Sequence, residues 1–368
     1  MEELETLVTF FDSFCPPSLA FPEDPTGIHI SGSGKPIGKV LAALELNPAV
    51  FQKTLALDAG FLFLHHPPLW EPLNRLSRKD LWTNMLCELY HRGVCVLAHH
   101  TNLDCQKPGM SEQWMEGLAL AGPSSPLLPR TAAPEYTVVT FTPPGALDKI
   151  RDGAFKAGGG TIGRYRECSF STPGTGTYTP QSGALPYRGN VGQRETIPEV
   201  RLEIHVDSSR LARVVTALHN AHPYENPVID VYPLPPATPS LTGLGRLIHL
   251  TEAIDSETLF NRAQELFSHQ CRLDAPYGEI PAVLRKIALC PGSGSSLLPA
   301  VLDSDPQIYL TGDLSHHQVE KLRLNGIFSL QVPHGPGERY AFRKIFHRIR
   351  EQACREQLKA ELVFEDEC

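Results

Sequence analysis

Two of the strand-like apolar runs that lead into paired histidines, far apart in this chain, are followed by the same sequel. The first, "FLFLHHPP", ends in His65 and His66, and the second, "IYLTGDLSHH", reaches His316 and His317 after a short extension. A helical pattern and then a strand opened by glycine follow in both places. In "GVCVLAHHTNLD" His100 stands four residues before Asp104, and in "GIFSLQVPHGPGE" His334 stands four residues before Glu338. The doubling predicts two related α/β halves that face each other. Their loops would converge at the carboxyl ends of the strands, where open α/β sheets keep ligand sites.

The rest of the chain agrees with an α/β class. "GKVLAALEL" (38–46) and "GVCVLAHH" (93–100) read as strands, and "RKDLWTNMLCELYHR" (78–92) repeats its apolar residues at three and four, as a helix does. At 368 residues two or three domains are expected. Two proline- and serine-rich stretches, "LAGPSSPLLPRTAAP" (120–134) and "PLPPATPSLT" (233–242), read as linkers around a middle segment. That segment reads as strand 136–142, helix 146–157, a strand with its hairpin partner over 168–179, strand 200–206, helix 209–221 and strand 227–232. This β-α-β-β-α-β order is ferredoxin-like. The predicted division is therefore 1–130 and 237–368 as two halves of one α/β domain, with an α+β domain inserted at 131–236. The glycine-rich stretch "STPGTGTYTPQSGALPYRGNVGQ" lacks the Lys-Ser/Thr of a phosphate loop and opens onto no helix, so it reads as a long, mobile hairpin.

Charge and cysteine usage exclude several roles. A net charge of -8 with no basic stripe argues against a nucleic-acid partner. The acidic start "MEELETLVTFFDSFCPP" lacks the basic region of a signal peptide, and no run approaches the roughly 18 apolar residues of a membrane span. A cytoplasmic protein is expected. The nine cysteines stand singly, without a C-x-x-C pair, and read as reduced thiols.

The histidines and acids suggest metal ligation. Neutral imidazoles with carboxylates suit zinc, iron, manganese or nickel, and an acid can bridge two ions roughly 3.5–4 Å apart. Adjacent strand residues point to opposite faces unless the chain bends, and Pro67 and Pro68 offer such a bend. His29, His99, His316 and His347 read as non-ligands, while His222 reads as the end of a helix. Asp313 is a candidate to orient an imidazole, as metal-bound histidines generally need. "GSGSS" (292–296) reads equally as an anion-binding turn or as a plain strand-to-helix turn with a serine cap.

The motifs "HHPPLWEPLNRLS", "AHHTNLD", "CPGSGSSL", "YLTGDLSHHQVEKL" and "HGPGE" resemble, in order and context, those of the Nif-three-like family, also called GTP cyclohydrolase 1 type 2 homologues. The resemblance covers nearly the whole chain, and "YRECSFSTPGTGTYTP" with "VIDVYPL" is similar to the longer members, whose insert resembles the PII signalling fold. It implies a two-metal site with His65, His66, Asp104, His334 and Glu338 as ligands and His100 and His317 in or near the first shell. A ring-shaped homohexamer with metal sites facing an internal cavity is implied as well. Three stretches depart from the family pattern: "FPEDPTGIHI" keeps only Asp24 and Gly27, "KPGMSEQ" follows Asp104, and Gly-Pro-Gly separates His334 from Glu338.

Two functions follow as expectations. The first is a metal-dependent hydrolase of a small-molecule substrate, similar to GTP cyclohydrolase, with Asp104 or Glu338 bridging two divalent ions and His100 or His317 relaying protons. The second is a non-catalytic metal-holding scaffold or regulator whose inserted domain binds a partner or effector.

Overall fold

The computed structural model describes all residues except 1, 78, 131–134, 163–164, 235–240, 278–280 and 367–368, together with all side chains in the described elements but that of Ser209. Most of the second expected linker and the end of the first lie outside the described residues. The chain divides into two compact units, Met1–Arg130 with Ser240–Cys368, and Thr131–Pro239.

Among the described residues the larger unit is built on two main sheets, beside a two-stranded ladder of Leu128–Pro129 with Gly243–Leu244. The first has five strands in the order Gly27–Ile30, Cys95–Ala98, Phe61–Leu64, Lys39–Ala43 and Glu361–Phe364. All neighbours run parallel except Gly27–Ile30, which is antiparallel to Cys95–Ala98. The second has six strands in the order Arg272–Asp274, Phe328–Gln331, Ile308–Gly312, Val283–Ser293, Arg246–Asp255 and Ser124–Ser125. Its parallel trio, Val283–Ser293, Ile308–Gly312 and Phe328–Gln331, matches the trio Lys39–Ala43, Phe61–Leu64 and Cys95–Ala98 of the first in order and direction. Each trio also carries one short antiparallel strand beyond its last member, and that strand precedes the trio in the chain.

The apolar runs explain this layering. Along Phe61–Leu64 the side chains alternate: Phe61 and Phe63 enter a core shared by both sheets, and Leu62 and Leu64 enter a second core under the helices Pro48–Ala56 and Leu81–Arg92. A strand covered on both faces needs no polar side, hence the unbroken FLFL. Helix Leu81–Arg92 begins after Asp80, whose carboxylate accepts from the N–H groups of Trp82 and Thr83, and stops at Gly93 with φ 72°. The shared core is completed by Leu7, Phe10 and Phe11 from the first helix, Trp114 from helix Met110–Gly117, and Ala341, Phe342, Ile345, Phe346 and Ile349 from helix His334–Arg355. Those last residues recur at three and four and so lie on one stripe.

In the smaller unit four antiparallel strands lie in the order Ile229–Leu234, Glu135–Thr142, Glu195–Asp207 and Ser169–Tyr178. Helices Leu147–Lys156 and Ser208–Ala221 bury Ile150, Ala154, Val214 and Leu218 with Val138, Leu202 and Ile204 of the sheet. Contrary to expectation, residues 168–179 do not form a self-contained hairpin; Ser169–Tyr178 is one strand, and it pairs with Glu195–Asp207 across the glycine-rich stretch. The tip is not free either, because the Tyr178 hydroxyl donates to the Arg188 carbonyl (2.7 Å) and the Leu185 N–H to Glu225 (2.9 Å).

Candidate metal centre

His65 and His66 follow the strand Phe61–Leu64 directly, and their N–H groups still bond to the neighbouring strand, to Ala43 and Leu44 carbonyls at 3.3 and 2.8 Å. His65 continues the inward parity of Phe61 and Phe63 and is fully buried, its ring 5.8 Å from that of Phe342. His66 does not continue outward with Leu62 and Leu64. It leaves the strand where Pro67 and Pro68 follow, and its Nε2 lies 2.9 Å from Glu338 Oε2. Both rings therefore serve one site.

His100 arrives from the end of the next strand, Cys95–Ala98, at the start of the short helix Thr101–Cys105. Its ring lies 5.3 Å from that of His65 and 5.8 Å from that of His66. Asp24 fixes it: the carboxylate is 3.0 Å from His100 Nδ1 and also accepts from the Thr101 N–H at 2.8 Å and the Thr101 hydroxyl. Asp104 sits one turn further on, with Oδ1 3.6 Å from His65 Nε2.

The second half supplies the opposite wall. His334 begins the long helix His334–Arg355, and its four-residue spacing to Glu338 puts the two side chains on one face, with His334 Nε2 2.9 Å from Glu338 Oε2. His334 Nδ1 is held by Asp313, as expected of that acid. The first turn of this helix is locked by Trp114, whose indole N–H donates to the Gly337 carbonyl at 3.0 Å.

The ligand atoms fall into two groups, His65 with His66 and His100, and His66 with His334 and Glu338, each within 4.8 Å of one another. The groups share His66. Asp104 stands at their edge. His317 is not brought to them: it lies exposed in the first turn of helix His316–Leu324, and its ring neighbours His316 at 5.8 Å. The extension Asp313–Ser315 is the reason. It uses Ser315 as a helix cap, so Asp313 leaves the strand end where the first half has its histidine pair, and the second pair falls onto a helix.

Electrostatics agree with a cation-binding role. Burial, helped by the neighbouring His66, pushes the His65 pKa down to about 3, so its imidazole is neutral and ready to ligate. Burial pushes Asp104 up to about 7 against the pull of His100. Burial also opposes ionisation of Glu338, yet the contacts with His334 and His66 outweigh it and hold the carboxyl far below its usual range. His334 is raised to about 9, chiefly by Glu338, and Asp24 is lowered to about 2 because its bonds to His100 and Thr101 outweigh burial. Two buried atoms of the cluster, His65 Nε2 and Glu338 Oε2, have no hydrogen-bond partner. The 2.9 Å contacts of Glu338 Oε2 are close but lack hydrogen-bond direction. Lone pairs buried without a donor are costly, and a cation satisfies them. The donor set therefore fits a divalent metal ion.

Other residues belong to the site without a sequence signal that marks them. Glu45 Oε2 lies 3.6 Å from His66 Nδ1. Gly292 has φ +71°, and a Cβ there would collide with Glu338 Oε1, so "GSGSS" begins with a glycine that makes room for the buried carboxylate. The rest of that stretch is an ordinary turn: Gly294 N–H donates to the Thr311 hydroxyl, and the Ser295 hydroxyl to the Asp313 carbonyl. Trp70, largely exposed, stands edge-on to His100 with centroids 5.3 Å apart. His99 faces elsewhere, with Nε2 3.0 Å from Asp12, and His29 Nε2 is 2.7 Å from the Pro25 carbonyl.

Paired α/β sheets with a histidine and carboxylate cluster at their strand ends set the class of fold, and comparison with known proteins gives its family. The profile of the Duf34/NIF3 family (NGG1p interacting factor 3) matches residues 2–367, and the chain belongs to that family. It is 30% identical over 327 residues to a GTP cyclohydrolase 1 type 2 homolog of Halalkalibacterium halodurans, covering 88% of this chain and 86% of the relative. A protein of the same description from Mycobacterium tuberculosis is 30% identical over 338 residues, 91% of this chain and 88% of that one. The crystal structure of a Bacillus cereus protein related to NIF3 superposes with a TM-score of 0.72 at 27% identity, covering 98% of this chain and 96% of the other. Among the described residues no helix is long and apolar enough to cross a membrane.

Proposed function

We propose that the cluster holds two divalent cations, with His65, His66, Asp104, His334 and Glu338 as ligands, and that the protein is a metal-dependent hydrolase. The observation that carries this reading is the pair of ligand groups sharing His66, with two buried, unpartnered atoms among them. Divalent cations in such a site activate water and neutralise developing negative charge. The chain's own groups do the remainder. Asp24 holds His100 through Nδ1 and raises its pKa against burial, leaving Nε2 to take up or deliver a proton near the reacting atoms. Asp313 does the corresponding orienting work on His334. His100 rather than His317 is the proton relay in this reading, because His317 is exposed and belongs to neither ligand group.

The names of the relatives support hydrolytic opening of the guanine imidazole ring of GTP as the first reaction to test. Metal-loaded protein incubated with GTP and with a panel of phosphate esters should turn over at least one of them, and Glu338→Ala should abolish that turnover. Activity that survives the substitution belongs to a contaminant. Metal uptake without turnover of any of them leaves the scaffold reading instead. The same proposal takes the inserted unit as a ferredoxin-like domain of PII type, on the strength of its strand order. It takes the assembly as a homohexamer, on the family resemblance. The eight described cysteines are all unpaired, which suits a reducing cytoplasm.

A further inference from the structure

A cavity of about 500 Å³ lies wholly within the inserted unit, and neither the metal centre nor the proposed hydrolysis uses it. Its volume is in the range that takes a small molecule. Four aromatic side chains line it: Phe141, Tyr178, Tyr187 and Tyr224. The rings of Tyr187 and Tyr224 stand 5.6 Å apart at 54°, which makes a corner rather than a stack. Glu199 lies in the same lining, and its Oε1 accepts from the Tyr224 hydroxyl at 2.7 Å. The hairpin tip is fastened over this space by the Tyr178 to Arg188 and Leu185 to Glu225 bonds.

The charge of the lining is one-sided. It contains Glu199 and Glu225 and no lysine, arginine or histidine. His222, packed under Tyr224 with centroids 4.8 Å apart, is pinned as a neutral tautomer: Nδ1 accepts from the Tyr224 N–H and Nε2 donates to the Phe141 carbonyl at 3.1 Å. Arg201 passes 6.0 Å from the Phe141 ring centre, with its charge engaged by Glu203 at 2.9 Å. An anion entering the cavity would meet carboxylates and the negative faces of the rings. A cation would be attracted by both.

We propose that this cavity binds a small organic ammonium ion, its alkylated head against the rings of Phe141, Tyr187 and Tyr224 and its charge countered by Glu199. An alkylated head suits the site better than a bare inorganic cation, because rings and aliphatic side chains make up most of the wall and give methyl groups apolar surface to cover.

The test is a calorimetric titration of the full-length protein with choline and with its uncharged carbon isostere, dimethylbutanol. Choline should bind saturably in the millimolar range or tighter, and the alcohol about tenfold more weakly, since it fills the same space without the charge. Tyr187→Ala, at a half-exposed position, and Glu199→Gln, which keeps an acceptor for Tyr224, should each weaken choline about fivefold with an unchanged melting temperature. Inorganic phosphate should give no signal at this site. Equal affinity for choline and the alcohol overturns the proposal, as does choline binding that both variants leave intact or the absence of saturation by choline. The result does not depend on the metal centre.

Discussion

The two halves of the larger unit share a strand order but furnish the site differently. In the first half, histidines follow two short strands buried on both faces, and an acid, Asp104, comes a turn later with its Oδ1 3.6 Å from His65 Nε2. In the second half, the spacing of histidine and acid is the same, but both lie on a long helix and touch each other at 2.9 Å. His100 has Asp24 as its partner where His334 has Glu338 and Asp313. One motif thus gives two arrangements of histidine and acid, depending on whether a helix continues beneath it. The helix of the first half has five residues and that of the second has twenty-two, so only the second fixes its pair by regular i, i+4 stacking.

That difference can be broken from either side. The largest effect is expected at Glu338, where both halves meet: Glu338→Ala should weaken cation binding by at least about 100-fold in a competition titration. Gly292→Ala comes next. Its Cβ would displace the Glu338 carboxylate and its backbone would be strained at φ +71°, so a cost of about 1–3 kcal/mol in denaturant unfolding should accompany reduced metal content. Asp24→Asn keeps an acceptor for Thr101 and removes the charge that holds His100. Cation affinity at the first-half group should fall roughly 10-fold or more, while the second-half group is spared.

Acidity gives a further contrast. His334 retains its proton below about pH 9 in the metal-free chain, so a cation must displace that proton, whereas His65, with a pKa of about 3, carries none to displace. Affinity at the second-half group should therefore climb as pH rises, by roughly tenfold per unit, and level off near pH 9. At the first-half group the rise should come lower, because Asp104 gives up its proton near pH 7. Isothermal titration in buffers of different ionisation enthalpy counts the protons released. The smallest effect is expected at His317: His317→Ala should leave metal content within about twofold of wild type, since the residue is exposed on its own helix and outside both groups.

The sequence made some of this legible and hid the rest for physical reasons. His65, His66, His100, His334 and Glu338 stand out because a strand end or a helical turn places them locally, within a few residues of a recognisable pattern. His317 misleads for the same reason: the paired histidines look alike in sequence, and only Ser315 capping the helix reveals that the extension moves them off the strand end. Glu45 and Gly292 meet the site only through the tertiary fold, across neighbouring strands and the shared core, so no local spacing announces them. In the inserted unit the order of elements was readable from periodicity. The partner of Ser169–Tyr178 was not, because glycine, serine and proline in the intervening stretch hide where the long strand Glu195–Asp207 begins.

The central claim is that the two candidate ligand groups that overlap at His66 form one cation centre. Metal analysis of purified wild-type protein beside His66→Ala tests it most directly, because His66 is the member common to both ligand groups. About two ions per chain in the wild type, falling to near zero in the variant, is the predicted result. An ion count that is unchanged in His66→Ala, or that falls by only one, contradicts the shared centre.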